Sequence, residues 1–181
     1  MSYGLTLFMI RKSVEEFKKS DKKPLVVVLD NVRSLHNIGS VFRTCDAFLV
    51  ESIYLCGISA TPPHKEIHKT ALGAELSVEW IYYESGLLAV EHLKSKNYVP
   101  WCVEQTQNSI SLDKFTVEEG VRYALVFGNE VHGIGQDIIN LCEGSIEIPQ
   151  FGTKHSFNVS VSAGIVLWEF YRQVEAIMKC D

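Results

Sequence analysis

The chain has 181 residues, of which 46% are hydrophobic and 22% charged, with a formal net charge of −5. These values are ordinary for a globular protein, no apolar run reaches the roughly 20 residues of a membrane helix, and the five cysteines form no Cys-x-x-Cys pair, so we expect a cytoplasmic protein with free thiols and no metal. The acidic balance argues mildly against nucleic acid as a partner, unless basic residues cluster on one face.

Apolar runs alternate with helical patterns along the chain. The N-terminal stretch Leu5–Ile10 is apolar and basic residues follow it, which predicts the first turns of a helix and not a signal peptide. Strands are predicted at Leu25–Leu29, Ser52–Cys56, Val78–Tyr82, Tyr98–Val103, Tyr123–Phe127 and Ser145–Ile148. Helices are predicted at Asn37–Phe48, in a short stretch ending at Lys69, and at Leu87–Lys96, Gln136–Leu141 and Phe157–Met178. This alternation predicts an α/β fold with a mainly parallel sheet flanked by helices.

The last predicted helix has more apolar positions than one narrow stripe holds. They are Val161, Ile165, Leu167, Trp168, Tyr171 and Val174. We expect this helix to contact a second subunit as well as its own core. The three tryptophans, Trp80, Trp101 and Trp168, lie in no basic stripe, so structural packing is expected for each.

Three distant segments share one pattern: Asn31–Arg43, Leu125–Gly135 and Ile146–Glu169. Each begins with or follows an apolar strand-like run, breaks into Gly, Asn, Ser or His, and then enters a helical pattern. Open α/β sheets bind ligands at the carboxyl ends of their strands, so these segments predict one site assembled at that edge.

The three segments resemble the SpoU/TrmH-type RNA ribose 2′-O-methyltransferases of the SPOUT superfamily, from about Pro24 to the C-terminus. The matching residues in the first segment are Asn37, Gly39 and Arg43. Those in the second are Phe127, Gly128, Glu130 and Gly133. Those in the third are Ile148, Pro149, Ser156, Asn158, Val159 and Ser160.

The resemblance implies transfer of a methyl group from S-adenosyl-L-methionine to a ribose 2′-hydroxyl of RNA, by a homodimer. It implies one methyltransferase domain over residues 1–181, with a basic helical segment at 1–23 and a C-terminal trefoil knot at about 120–181. A tRNA substrate is favoured over ribosomal RNA, because little chain precedes the first predicted strand. A ribosomal-RNA methyltransferase and a catalytically silent RNA-binding module of the same fold remain alternatives. A Rossmann oxidoreductase is disfavoured, because no GxGxxG follows the first strand.

The catalytic group implied by the resemblance comprises Arg43, Asn37, Ser156, Asn158 and Glu130. Arg43 is expected at the acceptor hydroxyl, where a guanidinium, effectively always protonated, stabilises negative charge more readily than it acts as a base. Asn37 is expected to cap the first helix and to present its amide to substrate. Ser156 and Asn158 are expected to open the last helix, as caps or as substrate ligands, and Glu130 to orient Arg43 or face the donor sulfonium.

The expected cofactor contacts are Glu104, Gly128, Ile148 and Phe157, and the expected RNA contacts are Arg33, Lys65, Lys69, Arg11 and Lys12. The basic N-terminal run also includes Lys18, Lys19, Lys22 and Lys23, for which a solvated helix face is an equal alternative. His64 and His68 are spaced i, i+4, but without a third ligand no metal is expected. His36, with no carboxylate near it in sequence, is expected to be a surface hydrogen-bond donor.

Overall fold

The computed structural model describes residues 12–154 and 156–179. Its strands are β1 (Lys23–Asp30), β2 (Val50–Cys56), β3 (Glu79–Tyr83), β4 (Tyr98–Val103), β5 (Ile110–Ser111), β6 (Arg122–Phe127) and β7 (Gly144–Glu147). Its helices are α1 (Val14–Lys19), α2 (Leu35–Ala47), α3 (Lys65–Ala71), α4 (Ala74–Ser77), α5 (Gly86–Ser95), α6 (Gln136–Leu141) and α7 (Val159–Met178). A 3₁₀ turn at Leu112–Lys114 lies between β5 and β6.

The strands form one seven-stranded sheet in the order β3-β2-β1-β6-β4-β7-β5, and every pairing is parallel. The predicted parallel sheet flanked by helices is therefore confirmed. Strands β1 and β6 are neighbours near the centre of the sheet. The chain leads from β1 to β2 and β3 on one side of the sheet, and from β6 to β7 on the other side. The loops after β1 and β6 leave the same edge at a topological switch point, the usual place for a ligand in such a sheet.

The apolar run in β1 is buried on both faces of the sheet. Val27 and Leu29 belong to the core that includes residues of α2 and α7. Val26 and Val28 belong to the core that includes Ala89 of α5. Because both faces are covered by helices, a continuous rather than alternating hydrophobic pattern specifies this strand.

Two helix starts differ from the prediction by two residues. The first long helix begins at Leu35 instead of Asn37, because the Ser34 hydroxyl caps it by accepting the Asn37 N–H at 3.3 Å. The expectation that Asn37 caps this helix is therefore wrong. The last helix begins at Val159 with Asn158 as its cap, so Ser156 and Phe157 lie in the preceding loop.

Helix α1 lies within the segment expected to be helical at 1–23 and is set by a capping box between Ser13 and Glu16. The predicted helical turns at Leu5–Ile10 lie outside the described residues. Two short elements were not predicted from the sequence. Helix α4 has four residues and β5 has two, too few to show a hydrophobic period.

Helix α7 buries one side and leaves apolar residues on the other. Ala163, Val166, Leu167 and Phe170 lie in the core. Val161 is 48% exposed, and Trp168 is 52% exposed although it packs beside the ring of Phe48 at 5.8 Å. The surplus of apolar positions predicted for this helix is thus present on its surface. No helix among residues 12–154 and 156–179 combines the length and hydropathy needed to cross a bilayer.

Candidate active site

A cavity of about 460 Å³ opens at the carboxyl edge of the sheet, where β4, β6 and β7 end. This volume lies within the range of small-molecule sites. It is lined by all four predicted cofactor contacts, Glu104, Gly128, Ile148 and Phe157. Three predicted catalytic residues, Glu130, Ser156 and Asn158, line it as well. The structure therefore brings seven of the predicted site residues to one cavity.

Two glycines let the backbone approach closely at this cavity. The Asn129 and Gly133 backbones exchange N–H···O bonds of 3.1 and 2.9 Å, which closes a tight turn after β6. A Cβ on Gly128 would lie 2.4 Å from the Gly133 carbonyl carbon. Gly133 itself has φ +65°, and a Cβ there would lie 2.5 Å from Glu104 Oε2. Only glycine suits these two positions, so the turn forms a cradle that any side chain would fill.

The cavity is acidic. Glu104, Glu130 and Glu147 line it, and among its described lining residues there is no Lys, Arg or His. Carboxylates favour a cationic ligand and disfavour the phosphates of a dinucleotide. The apolar walls, including Ile148 and Phe157, suit the faces of an adenine ring. These residues fit S-adenosylmethionine, which joins an adenosine to a sulfonium and an ammonium group.

A chain of side-chain hydrogen bonds links the three segments. Asn37 Nδ2 donates to Glu130 Oε1 at 3.1 Å, and Asn158 Nδ2 donates to Asn37 Oδ1 at 3.1 Å. Asn158 Oδ1 in turn accepts the Ser160 N–H at 2.9 Å, which caps α7. A carboxylate only accepts, so Asn37 must turn its NH₂ to Glu130 and its oxygen to Asn158. The charge on Glu130 therefore sets the orientation of both amides.

Glu130 also holds the backbone that leads into α2. Its carboxylate accepts the N–H groups of Arg33 at 3.0 Å and Ser34 at 3.1 Å. Burial raises the pKa of Glu130, but these N–H groups and the Asn37 amide outweigh it and bring the pKa below its ordinary value. The hydrogen bonds of Glu130 thus go to the first segment and not to Arg43, contrary to the first role expected of it.

Arg43 is the predicted catalytic residue that the structure keeps apart. It is exposed and lines a separate depression on α2 with Lys69, Thr70 and Gly164. Arg43 follows Asn37 by six helical positions, which corresponds to a rise of about 9 Å and a rotation of about 240°. Within one subunit Arg43 therefore points away from the Asn37 side chain.

The predicted RNA contacts lie on exposed surface where they are described. Arg33, Lys65, Lys69 and Lys12 are exposed, and Arg11 lies outside the described residues. Lys69 pairs with Glu66 at 2.8 Å. His36, expected to be a surface hydrogen-bond donor, is exposed, and its Nε2 lies 3.0 Å from the same carboxylate, although no carboxylate is near it in sequence. The fold supplies it from α3.

Two lysines of the basic N-terminal run have structural roles instead. Lys23 is only 8% exposed and forms an ion pair with Glu175 of α7. The Lys22 ammonium lies 3.6 Å from the centre of the Phe17 ring and donates to the Phe17 carbonyl. Both are therefore poor candidates for RNA phosphate contacts.

Neither histidine of the i, i+4 pair faces a shared ligand. His64 Nδ1 accepts the Glu66 N–H at 3.1 Å and caps α3. His68 Nδ1 lies beside Glu75 Oε1 at 2.5 Å. In the described part of the chain, no group of three or more His, Cys, Asp or Glu residues is arranged to hold a metal ion.

Comparison with known proteins identifies the family. Residues 24–168 match the SpoU rRNA Methylase family. The chain belongs to this family. A relative, the tRNA (guanosine(18)-2′-O)-methyltransferase of Aquifex aeolicus, is 31% identical over 175 residues, covering 91% of this chain and 76% of the relative.

Solved structures of the family have the same fold. The TrmH/SpoU tRNA modifying enzyme of A. aeolicus superposes with a TM-score of 0.79 at 28% identity, covering 90% of this chain and 81% of that one. The SpoU methyltransferase AviRb of Streptomyces viridochromogenes, in complex with AdoMet, superposes with a TM-score of 0.77 at 21% identity, covering 88% and 64%. At that identity the second likeness concerns the fold.

Some residues of the site were missed by sequence reasoning. Asn129 holds the tight turn, because its Oδ1 accepts the N–H groups of Val131 at 2.8 Å and His132 at 3.1 Å. Glu147 adds the third carboxylate to the cavity. Its position within a predicted strand and within the third segment was the available signal.

Proposed function

We propose that this protein transfers a methyl group from S-adenosyl-L-methionine to a ribose 2′-hydroxyl of tRNA. The observation that carries the proposal is the Glu130–Asn37–Asn158 hydrogen-bond chain at the acidic, glycine-lined cavity. Membership of the SpoU family and the likeness to a tRNA ribose methyltransferase support it. A purely RNA-binding module would need neither an acidic cavity nor oriented amides beside it.

The residues divide the work between donor and acceptor. The cofactor, when bound, supplies an electrophilic methyl group on its sulfonium. Glu104, Gly128, Ile148 and Phe157 hold it, and the carboxylates of the cavity match its positive charge. Asn37, Ser156 and Asn158 present polar groups that orient the incoming ribose. Holding the reacting groups in this geometry lowers the activation free energy of methyl transfer.

Arg43 acts on the acceptor side. A guanidinium stays protonated in proteins, so Arg43 binds the adjacent phosphate and stabilises the developing alkoxide, while the hydroxyl proton passes to solvent water. Arg43 lines a depression that shares no lining residue with the cofactor cavity of its own subunit. We therefore infer that Arg43 acts at the cavity of a second subunit.

A homodimer brings Arg43 of one subunit to the cofactor cavity of the other. The outward side of α7 carries the half-exposed Val161 and Trp168, and Gly164 shares the depression of Arg43. A twofold pairing over this apolar surface is isologous, so each copy both covers the other's α7 and presents its Arg43 across the interface. Each active site would then combine one subunit's cavity with Arg43 of the partner subunit.

The proposal treats residues 1–181 as one methyltransferase domain, with Arg11 and Lys12 of the 1–23 segment contributing RNA contacts and about 120–181 forming the knotted cofactor-binding region. The trefoil knot rests on the family resemblance. A cytoplasmic location belongs to the same proposal, because free thiols and RNA substrates occur together there.

Cofactor binding gives the first test. S-adenosylhomocysteine at 100 times its dissociation constant should stabilise the fold by about 2.7 kcal/mol, which for a chain of this size raises Tm by about 5–11 °C. NAD at the same concentration serves as the control ligand. A shift with NAD and none with S-adenosylhomocysteine would contradict the proposal.

Methyl transfer gives the second test. Radiolabelled S-adenosylmethionine is incubated with the protein and with unmodified tRNA or ribosomal RNA, and methylated riboses are mapped. We expect label in tRNA at a defined 2′-hydroxyl. Label in ribosomal RNA alone would select the other substrate, and cofactor binding without transfer to either RNA would favour the silent binding module.

Mixed dimers test the composite site. An Arg43→Ala subunit mixed with an Asn158→Ala subunit should regain activity, because some heterodimers then carry one intact site. Each variant alone should be inactive. Absence of any rescue, with heterodimers demonstrated by mass spectrometry, would show that each site is built within one subunit.

A further inference from the structure

A fully exposed aromatic side chain directly follows a residue that lines the cofactor cavity. Phe151 is 98% exposed, the highest value among the large hydrophobic residues that the structure describes. It belongs to the loop between β7 and α7, and the cavity is lined on either side of it by Gln150 and Ser156. Val131, which lines the cavity from the Asn129–Gly133 turn, is 69% exposed.

Internal packing does not explain this position. A Phe side chain normally contributes to a fold by leaving water, and at 98% exposure Phe151 contributes almost nothing in that way. The next residue, Gly152, also lies in open space, because a Cβ built on it would meet no atom within 4 Å outside its chain neighbours. Lys154, also exposed, adds a positive charge to the same loop.

We propose that Phe151 stacks on an unpaired RNA base next to the ribose that is methylated. The inference rests on the proposed function, because a 2′-hydroxyl that reaches this cavity brings its neighbouring bases to the loop. Single-stranded RNA is commonly held by bases that stack on aromatic side chains. A phenyl ring has no hydrogen-bonding group, so Phe151 positions the strand without selecting a base, and Lys154 suits an adjacent phosphate.

Substitution of Phe151 separates stacking from other roles. Phe151→Leu keeps an apolar side chain and loses the aromatic face, whereas Phe151→Tyr keeps the face. At 98% exposure neither change disturbs the core. Loss of one base–aromatic stack corresponds to about 5- to 150-fold in affinity, so KM for tRNA should rise by that factor in Phe151→Leu and stay near wild type in Phe151→Tyr.

A second readout reports stacking directly. 2-Aminopurine is placed, one position at a time, on each side of the methylated nucleotide of a short RNA substrate. Its fluorescence should be quenched on binding to the wild type and to Phe151→Tyr, and recover at one position with Phe151→Leu. The dissociation constant for S-adenosylhomocysteine and the sedimentation coefficient should be the same in all three proteins.

Other outcomes overturn the inference. Weaker S-adenosylhomocysteine binding by Phe151→Leu would make Phe151 a cover for the cofactor, and an altered sedimentation coefficient would make it part of a subunit interface. Unchanged KM and quenching in a leucine variant of an active enzyme would refute this inference alone. A wild type that binds S-adenosylhomocysteine but methylates no RNA would refute the proposed function as well.

Discussion

Replacing Glu130 by glutamine should uncouple the three segments of the site. In the wild type, Glu130 accepts the N–H groups of Arg33 and Ser34 and the amide of Asn37. Glutamine offers one oxygen and one NH₂ group. If the oxygen faces Asn37, the NH₂ opposes the Arg33 N–H. If the oxygen faces the Arg33 N–H, the glutamine NH₂ faces the Ser34 N–H and the Asn37 NH₂. The Asn37 amide must then flip, and the Asn158 amide with it, so that Asn158 no longer caps α7.

The expected loss of stability follows from the hydrogen bonds of Glu130. Hydrogen bonds to charged groups contribute about 1.5–3 kcal/mol, and a negative charge near a helix N-terminus adds about 0.3–1 kcal/mol. Glu130 is exposed, so solvent screening reduces both terms. We expect Glu130→Gln to lower the free energy of unfolding by about 1–2 kcal/mol, and Tm by about 2–8 °C.

The pH dependence supplies a sharper test. The pKa of Glu130 in the folded protein lies below its ordinary value, so its contribution to stability is present above the unfolded pKa of about 4.3 and is lost as pH falls through the folded value. Urea unfolding from pH 7 to pH 3 should show the gap between wild type and Glu130→Gln constant above about pH 5 and narrowing below about 4.3.

Glu119 provides the matched control, because it is an exposed glutamate whose side chain forms no hydrogen bond or ion pair with any described residue. Glu119→Gln should leave the unfolding curve unchanged. A double-mutant cycle of Glu130→Gln with Asn37→Ala should be non-additive, since the two side chains share a bond. Equal stabilities of Glu130→Gln and Glu119→Gln at pH 7, or additive effects in the cycle, would refute the reasoning.

Three further predictions concern cofactor, catalysis and RNA. Gly133→Ala, with φ +65° and its Cβ against the Glu104 carboxylate, should destabilise the fold by about 1–2 kcal/mol and weaken S-adenosylhomocysteine binding measured by calorimetry, whereas Gly152→Ala should do neither. Arg43→Ala should reduce methyl transfer by about 100- to 1,000-fold and leave S-adenosylhomocysteine affinity within a few-fold; near-normal turnover would contradict its role. Lys69→Ala should reduce the log–log salt slope of tRNA binding by about 0.7–0.9, and an equal change in Lys96→Ala would show that the effect is unspecific.

The sequence allowed the sheet to be predicted because its central strands, β1, β2 and β6, are buried on both faces. A continuous apolar run such as Leu25–Leu29, in a chain where helical patterns alternate with strands, indicates a strand inside a parallel sheet. The cavity was predictable for a related reason: parallel strands bring their carboxyl ends together, so Gly128 and Ile148 meet although 20 positions separate them. Short elements such as β5 carry no period and were missed.

The partners of individual polar groups were not predictable. Asn37 was expected to cap α2, but Ser34, a residue type equally favoured at a cap, takes that place. Glu130 bonds to residues 93 to 97 positions away, and no local pattern encodes such a distance. The same holds for His36, whose carboxylate neighbour comes from a different helix.

The net charge of −5 pointed away from RNA, and the structure explains why that inference is weak. Part of the acid, Glu104, Glu130 and Glu147, lines the cofactor cavity, where it suits a cationic donor. Basic groups lie elsewhere, with Arg43 and Lys69 together in the depression on α2. Donor and acceptor carry opposite charges, so an enzyme that binds both must segregate its own. The net charge is a sum over both surfaces, so it does not indicate whether one surface of this protein binds RNA.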